Sequence, residues 1–325
     1  MNTLMLVSGG DAPGINAVFY HYARAAARDG NAVYGARGGF AGLLNGEVSL
    51  LKPEAAAPWA GVGGSLLESS REPVLSSQDA EQRLKARLDE WGIKGLVLFG
   101  GDGSLRHIPP LLEAWGVPCI GIPTTIDNDV AGTELTLGFD SACNFAYHVI
   151  DGMRATAHAL PGRIFTLETL GGDTGFLALA VADGAGADVV LLPEYDYDEN
   201  WLAERLREAV RSRGHALLVM SEGVKTKETV VANIPQWTGI RVRDTRLGHA
   251  QRGGAPSHRD RALAAEMARI AYAALCDGVR AGVAVVRGGR AALHEGLLAG
   301  ISASAPDRVL YDFINGLNTD GHSGN

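Results

Sequence analysis

Two aspartates separated by one residue are the side chains in this sequence best suited to proton transfer. They lie beside a hydroxyl, after a strand-like run, in the segment Thr125-Ile126-Asp127-Asn128-Asp129. A buried or hydrogen-bonded aspartate can accept a proton from an attacking alcohol, and a second carboxylate can position a metal ion or a phosphate. The alternative is an ordinary turn in which Asp and Asn satisfy local backbone groups. The segment alone is compatible with both interpretations.

Two glycine-rich turns could bind phosphate. The first occupies residues 8–14 (SGGDAPG), between a predicted strand and a predicted helix, and the second occupies residues 100–104 (GGDGS) after an apolar run. Glycines let the backbone approach a phosphate, and a helix N-terminus adds N–H groups and a positive dipole. The first turn matches neither the P-loop lysine pattern nor the dinucleotide fingerprint. In the second turn, Asp102 could approach a magnesium ion, or it could be only a helix N-cap.

Cationic side chains concentrate in residues 243–254 (RDTRLGHAQRGG), next to several glycines. The planar guanidinium groups of its arginines match the geometry of a phosphate, and His249 can add another donor. A solvated charged loop is the usual structure for such a run. The flanking glycines and the histidine make an anion-binding site the better interpretation.

Three further charged side chains lie near predicted strands or in short polar runs, and two of them, Glu222 and Arg71, could contact a substrate. Arg163 precedes one predicted strand, and Glu222 follows another, where its carboxylate could accept hydrogen bonds from sugar hydroxyls. Arg71, in the short polar run SSRE at 69–72, could contact a donor phosphate. The alternative for Glu222 and for Arg71 is an ordinary solvated charge.

The elements that position these residues alternate between short apolar strands and helices. Such alternation predicts βαβ units and parallel sheets in two α/β lobes. The three loops named first follow strands of the same lobe, so they should gather at the carboxyl ends of those strands, where ligands bind. The predicted strands lie near residues 4–7, 32–34, 95–99, 118–122, 164–167, 188–192, 216–220 and 281–286, and the predicted helices near 17–27, 79–91, 111–115, 176–182, 200–212 and 261–275.

Composition bounds the class of protein. With 325 residues, 46% of them apolar and 20% charged, the chain has the size and make-up of a two-domain globular protein. The net charge of −8 argues against a dedicated nucleic-acid binder. No apolar run is long enough to cross a bilayer, and the N-terminus lacks a secretory pattern. The three cysteines (Cys119, Cys143, Cys276) have no metal-type spacing, which favours a reducing, cytoplasmic compartment.

Four segments in order make the chain resemble the 6-phosphofructokinases over nearly its full length. Each segment alone could mislead, but together they are highly specific. A lipid or NAD kinase could share the GGDG turn, yet would not explain the cationic cluster around His249. The segments are residues 8–17 (SGGDAPGINA), 100–104 (GGDGS), 125–129 (TIDND) and 247–254 (LGHAQRGG).

The resemblance implies a fold, an activity and an assembly. The fold would be two Rossmann-like lobes with mainly parallel sheets: a donor-binding lobe of residues 1–137 and 251–302, and a sugar-phosphate-binding lobe of residues 138–250 and 303–325. The activity would be magnesium-dependent phosphoryl transfer from ATP to the 1-hydroxyl of fructose 6-phosphate, a step of glycolysis. The assembly would be a cytoplasmic homotetramer in which Arg163 and Arg243 reach into a neighbouring subunit's site.

The resemblance also implies a role for each candidate residue. Asp127 would be the base, Thr125 would position the acceptor and the transferred group, and Asp129 would be a supporting carboxylate near the metal. Asp102 would hold magnesium. The phosphoryl donor would contact Gly10, Arg71, Gly101, Asp102, Gly103 and Ser104. The sugar phosphate would contact Thr125, Asp127, Arg163, Leu170, Gly171, Gly172, Glu222, Arg243, His249 and Arg252.

The phosphoryl donor is where the sequence departs from the family pattern. Pyrophosphate-dependent members typically carry aspartate at the position of Gly103 and lysine at that of Thr124, so the absence of both favours ATP. However, residues 105–110 (LRHIPP) replace the small residues usual in bacterial ATP enzymes, Thr124 replaces their glycine, and Gly172 stands where an arginine is typical. Losing that arginine removes one source of transition-state charge stabilisation.

Two alternatives therefore stay open. One keeps the reaction type but uses pyrophosphate, or a different acceptor such as sedoheptulose 7-phosphate. The other is a catalytically weak paralogue that only binds sugar phosphates. The intact Asp102, Thr125, Asp127 and Asp129 weigh against the second alternative.

Overall fold

The computed structural model describes residues 1–70, 73–298, 300–302 and 304–317. The chain divides into two compact units, Met1–Ser141 with Arg252–Ala303, and Ala142–Gln251 with Ser304–Asn325. Arg71 lies outside the described residues. Within the described part, no helix is both long enough and apolar enough to span a bilayer.

The strands carry the sheets of both units. They are β1 (Asn2–Val7), β2 (Ala32–Ala36), β3 (Val48–Leu50), β4 (Ile93–Gly100), β5 (Cys119–Thr125), β6 (Leu137–Gly138), β7 (Arg163–Thr169), β8 (Val189–Leu191), β9 (His215–Ser221), β10 (Arg241–Arg246), β11 (Ala281–Arg287) and β12 (Arg290–Glu295).

The helices mostly connect consecutive strands. They are α1 (Ile15–Arg28), α2 (Gly39–Asn45), α3 (Pro53–Ala56), α4 (Ala80–Glu90), α5 (Asp102–Ala114), α6 (Phe139–Ala159), α7 (Phe176–Ala185), α8 (Glu199–Arg213), α9 (Lys227–Thr238), α10 (His258–Cys276) and α11 (Arg308–Asn315).

The first unit is built on a sheet with the strand order β12-β11-β5-β4-β1-β2-β3, and β6 pairs with β5. The central strands from β2 to β11 are parallel, while β3 and β12 are antiparallel at the two ends. Both faces are covered. Met5 of β1 packs in one apolar core with α1 and α10, and the next residue, Leu6, packs in a second core with α2 and α4. This two-sided burial explains why the strands are near-continuous apolar runs.

The second unit has a four-stranded parallel sheet in the order β10-β7-β9-β8. Its core includes Ile164 of β7 and Leu218 of β9, which cluster with Leu202 and Leu206 of α8. The aspartate before α8 caps that helix, since the Asp198 carboxylate accepts a hydrogen bond from the Trp201 N–H at 2.8 Å.

One predicted helix is wrong in extent. The sequence predicts a helix only near 111–115, yet α5 runs from Asp102 to Ala114 and contains Pro109 and Pro110. Proline removes one backbone donor and crowds the preceding turn. The helix continues through both, so the prolines lie inside α5 and do not delay its start.

Candidate active site

Three loops meet at the carboxyl edge of the sheet in the first unit. They follow β1, β4 and β5, which are adjacent parallel strands in the order β5-β4-β1. Together they line a pocket of about 580 Å³. Its lining residues are Ser8, Gly9, Gly10, Gly101, Asp102, Gly103, Ser104, His107, Ile108, Thr124, Thr125, Asp127, Asp129 and Arg252.

The turn after β1 is held from both sides. Its Ser8 N–H donates to the Phe99 carbonyl at 2.8 Å, and the Gly9 N–H donates to the Ser70 carbonyl at 3.1 Å. The side chain of Asn16, at the start of α1, donates to the carbonyls of residues 62 and 64 at 3.0 and 3.1 Å and accepts from the N–H of residue 66 at 2.8 Å. Asn16 therefore fixes the segment that runs beside this turn, a role that its place in the 8–17 motif did not reveal.

The turn after β4 is tied to the first turn. The Ser104 hydroxyl donates to the Ser8 carbonyl at 2.8 Å. A β-carbon on Gly100 would lie 2.6 Å from the Ser104 β-carbon and 2.8 Å from the Ser8 oxygen, whereas one on Gly103 would meet nothing within 4 Å. Gly100 is thus required for close packing of the two turns, and Gly103 keeps space open in the pocket.

Asp102 is the first residue of α5, and both of its carboxylate oxygens accept hydrogen bonds. Arg106 donates from Nε to Oδ2 at 2.6 Å, and the Ala131 N–H donates to Oδ1 at 3.3 Å. The Arg106 guanidinium also donates to the Ile301 carbonyl at 3.1 Å. Asp102 is therefore held in one orientation beside the pocket.

The loop after β5 is braced by its own side chains. Asn128 adopts a left-handed conformation (φ 56°), which asparagine tolerates better than most residues. Its side-chain oxygen accepts from the Thr136 N–H at 2.8 Å, and the Thr136 hydroxyl donates to the Thr125 carbonyl at 2.7 Å. The Thr125 hydroxyl in turn accepts from the Asp127 N–H at 3.1 Å. These contacts fix the backbone that carries the two aspartates.

Charges of both signs face each other in this pocket. Arg252 Nη2 lies 3.8 Å from Asp127 Oδ2, and only 17% of each side chain is exposed. Burial, followed by the nearby charges of Asp127 and Asp102, raises the pKa of Asp129 to about 6. The carboxylates are therefore crowded enough to repel one another, and a cation among them would relieve that repulsion.

The donor set around Asp102 and Asp129 fits magnesium better than a softer metal. In the described part of the chain, no group of three or more His, Cys, Asp or Glu side chains is arranged as a metal cage. Magnesium seldom uses such a cage, because it is commonly held by one or two carboxylates together with waters and substrate phosphates.

In the second unit, four of the sequence-predicted residues come together at the ends of β7 and β9. One carboxylate oxygen of Glu222 accepts from the N–H groups of Gly171 and Gly172 at 3.0 and 2.9 Å. The Leu170 N–H donates to the Gln251 side chain at 2.9 Å, and Gln251, fully buried, also donates to the Ala142 carbonyl at 3.2 Å. Gln251 therefore holds the turn in place. It was missed as a site residue although it lies inside the 247–254 motif.

The structure separates two other predicted residues from that cluster. Arg163 begins β7, so it lies seven residues of strand, roughly 23 Å, from the Leu170 end of the same strand. Arg243 lies within β10 and pairs in register with Phe165 of β7. Phe165 is two residues after Arg163 and lies on the same face of the sheet, so the side chains of Arg243 and Arg163 also share that face. His249 is exposed after β10. Within the second unit, Arg163 therefore cannot reach the groups around Glu222.

Comparisons with known proteins agree with this architecture. The phosphofructokinase family model matches residues 2–275. The chain is 38% identical over 293 residues to the ATP-dependent 6-phosphofructokinase of Lactobacillus delbrueckii subsp. bulgaricus, covering 90% of this chain and 91% of that protein. It is 39% identical over 278 residues to the ATP-dependent 6-phosphofructokinase of Enterococcus faecalis, covering 84% and 85%.

Solved structures show the same fold. Phosphofructokinase from Saccharomyces cerevisiae superposes with a TM-score of 0.84 at 25% identity, over 90% of this chain and 44% of that one. A pyrophosphate-dependent phosphofructokinase from Marinobacter aquaeolei gives a TM-score of 0.84 at 24% identity, over 98% of this chain and 89% of that one, which is a likeness of fold alone. The chain belongs to the phosphofructokinase family.

Proposed function

We propose that this protein transfers the γ-phosphoryl group of ATP to the 1-hydroxyl of fructose 6-phosphate, giving fructose 1,6-bisphosphate in glycolysis. The observation that carries the proposal is Asp127, fixed by the Thr125 hydroxyl and facing Arg252, in the same pocket as two glycine-rich turns. Relatives named ATP-dependent 6-phosphofructokinase, at 38–39% identity, support the choice of donor and acceptor.

The chemistry follows from positioning and charge neutralisation, which dominate phosphoryl transfer. The 1-hydroxyl gives its proton to the Asp127 carboxylate, and its oxygen forms a bond to the γ-phosphorus. The bond from that phosphorus to the β,γ-bridging oxygen breaks, and ADP leaves. Backbone N–H groups of Gly10, Gly101, Gly103 and Ser104 would contact donor phosphates, together with Arg71. Magnesium bound at Asp102, with Asp129 nearby, would neutralise donor oxygens.

Each unit would contribute its own contacts. The first unit would bind the phosphoryl donor, and Arg252 in that unit would contact a substrate phosphate. The second unit would contact the sugar phosphate through Glu222, the 170–172 turn and His249. Arg163 and Arg243 would serve the site of a neighbouring subunit, because within one unit Arg163 is roughly 23 Å from the Glu222 cluster. The proposed assembly is the cytoplasmic homotetramer with shared sites that the resemblance to the 6-phosphofructokinases implies.

A direct assay tests the reaction. Purified protein is incubated with magnesium and fructose 6-phosphate, with ATP and pyrophosphate in parallel arms, and bisphosphate is measured. A further arm supplies sedoheptulose 7-phosphate as the acceptor. Product with ATP and fructose 6-phosphate is expected. Formation of product only with pyrophosphate would rule out ATP as the donor. Tight sugar-phosphate binding without product in any arm would favour a paralogue that only binds sugar phosphates.

The role of Asp127 has its own test. Asp127→Asn should lower kcat by about 10²–10⁴-fold, the usual contribution of a general base, while the KM for ATP changes little. Asp89→Asn, which removes an exposed carboxylate on α4 of the same unit, is the matched control and should retain full activity. Retained turnover in Asp127→Asn would rule this residue out as the base.

A further inference from the structure

The guanidinium group of Arg106 is a cation with two anchors beside the pocket, and the proposed mechanism does not use it. It lies one helical turn after Asp102 and donates to Asp102 Oδ2 at 2.6 Å and to the Ile301 carbonyl at 3.1 Å. Only about a quarter of each side chain is exposed, 24% for Arg106 and 25% for Asp102. A second anchor and partial burial distinguish this pair from an ordinary surface ion pair.

The contrast with another pair of the same unit makes this clear. Arg83 and Asp79 have the same four-residue spacing near α4, but their closest N–O distance is 3.7 Å and their side chains are 45% and 57% exposed. That pair has the geometry of a solvated helix contact. The contact between Arg106 and Asp102 is short and partly buried, so it restricts the orientation of the Asp102 side chain. The longer, exposed contact between Arg83 and Asp79 imposes no such restriction.

The remaining capacity of Asp102 matters for metal binding. An ionised carboxylate has about four acceptor positions, and Arg106 and the Ala131 N–H use two of them. The other positions stay available for a cation or its waters. Groups that hydrogen-bond to a ligating carboxylate orient it, and their removal typically costs about 10–100-fold in metal affinity or activity.

We propose that Arg106 is a positioning residue that orients Asp102 for the magnesium–nucleotide complex, and that it acts through Asp102 and not by binding the donor phosphates itself. This inference rests on the proposed function for the identity of the donor. It assigns to Arg106 a role that depends on the metal.

The test measures binding, so it does not depend on turnover. The affinity of adenylyl imidodiphosphate, a non-hydrolysable ATP analogue, is measured by calorimetry with magnesium and again with EDTA. Four proteins are compared: wild type, Arg106→Met, Asp102→Asn and the double variant. Arg106→Met should weaken binding by about 10–100-fold with magnesium and leave metal-free binding unchanged. The double variant should bind no more weakly than Asp102→Asn, because contacting residues that act as one unit are not additive.

Two results would overturn the proposal. If metal-free binding weakens equally, Arg106 contacts the phosphates directly, and if the losses add in the double variant, it does not act through Asp102. Arg106→Lys should restore part of the affinity, and Arg83→Met is the matched control with unchanged binding. Melting temperatures identify a variant that is merely unfolded. Nucleotide binding without bisphosphate formation by wild type would contradict the proposed reaction while leaving the Arg106 test intact.

Discussion

Gly100 is the last residue of β4 and Gly103 lies in the first turn of α5, and the surroundings of these two glycines differ. The position of a β-carbon on Gly100 is occupied by neighbouring atoms, while that on Gly103 opens into the pocket. Gly100 is therefore needed for the packing of the loop, and Gly103 leaves room in the pocket for a bound ligand.

Replacing Gly103 should change donor use and leave the fold intact. In Gly103→Asp a carboxylate enters the donor pocket, repels the phosphates and lowers kcat/KM for ATP by at least about tenfold, or about 1.4 kcal/mol. Steady-state kinetics and thermal melts check this. Gly103→Asn has nearly the same shape without the charge and should lose less, so equal losses in the two variants would indicate a steric effect.

The buried charge of Asp129 should make stability depend on pH. Because its pKa is raised to about 6 from 3.8, the folded state prefers the protonated form. Below pH 4 the Asp129 carboxyl is protonated in the folded and unfolded states and costs no stability. As the pH rises from 4 towards 6 its cost to the free energy of unfolding grows, and above pH 6 that cost is constant. Asp129→Asn should therefore increase the free energy of unfolding at pH 7.5 by about 1–3 kcal/mol, with a gain that vanishes near pH 4. Denaturant melts in EDTA at several pH values measure it, and a gain independent of pH would contradict this origin.

At the scale of elements, the strands of the parallel sheets were predictable because they are buried on both faces and carry continuous apolar residues. The edge strand β10 was not, since its sequence RVRDTR is mostly exposed and has no such run. The convergence of the loops after β1, β4 and β5 followed from the parallel order. The contact between Glu222 and the 170–172 turn could not be predicted in this way. It depends on β7 and β9 being neighbours in the sheet, which the local sequence does not specify.

The packing of the β1 and β4 turns can be tested by filling the space between them. Gly100→Ala places a methyl group against Ser104 and the Ser8 carbonyl, so the two turns must separate. Overpacking of this kind costs about 1–3 kcal/mol, and affinity for the donor should fall as well. Thermal melts and nucleotide titrations check both effects. Gly103→Ala adds the same methyl group in open space and should keep its stability; similar destabilisation of both would count against the packing argument.

At the scale of the whole molecule, the proposed shared site predicts complementation between inactive variants. Asp127→Asn and Arg243→Ala should each be nearly inactive, and mixed subunits should regain activity, because some sites then combine an intact Asp127 with an intact Arg243. Random mixing of equal amounts gives about a quarter of wild-type activity in a symmetric oligomer. Assays after joint refolding, with sedimentation to show a tetramer, measure this. A monomeric protein, or no recovery, would contradict shared sites.

The strand order of the first unit has a consequence for synthesis on the ribosome. All three pocket loops have emerged by residue 129, but β5 pairs with β11, whose first residue is Ala281, and α1 packs against α10 in the same core. The second unit likewise needs α11, since the Asn315 side chain accepts from the Val190 N–H and donates to its carbonyl, satisfying the edge of β8. A nascent chain that ends at Arg252 thus carries every residue proposed for the site, yet it has an open sheet edge at β5 and uncovered apolar surface. Exposed apolar surface and unpaired strand edges make an incomplete chain prone to aggregate, so we expect this late stage to be the one at which chaperone binding matters.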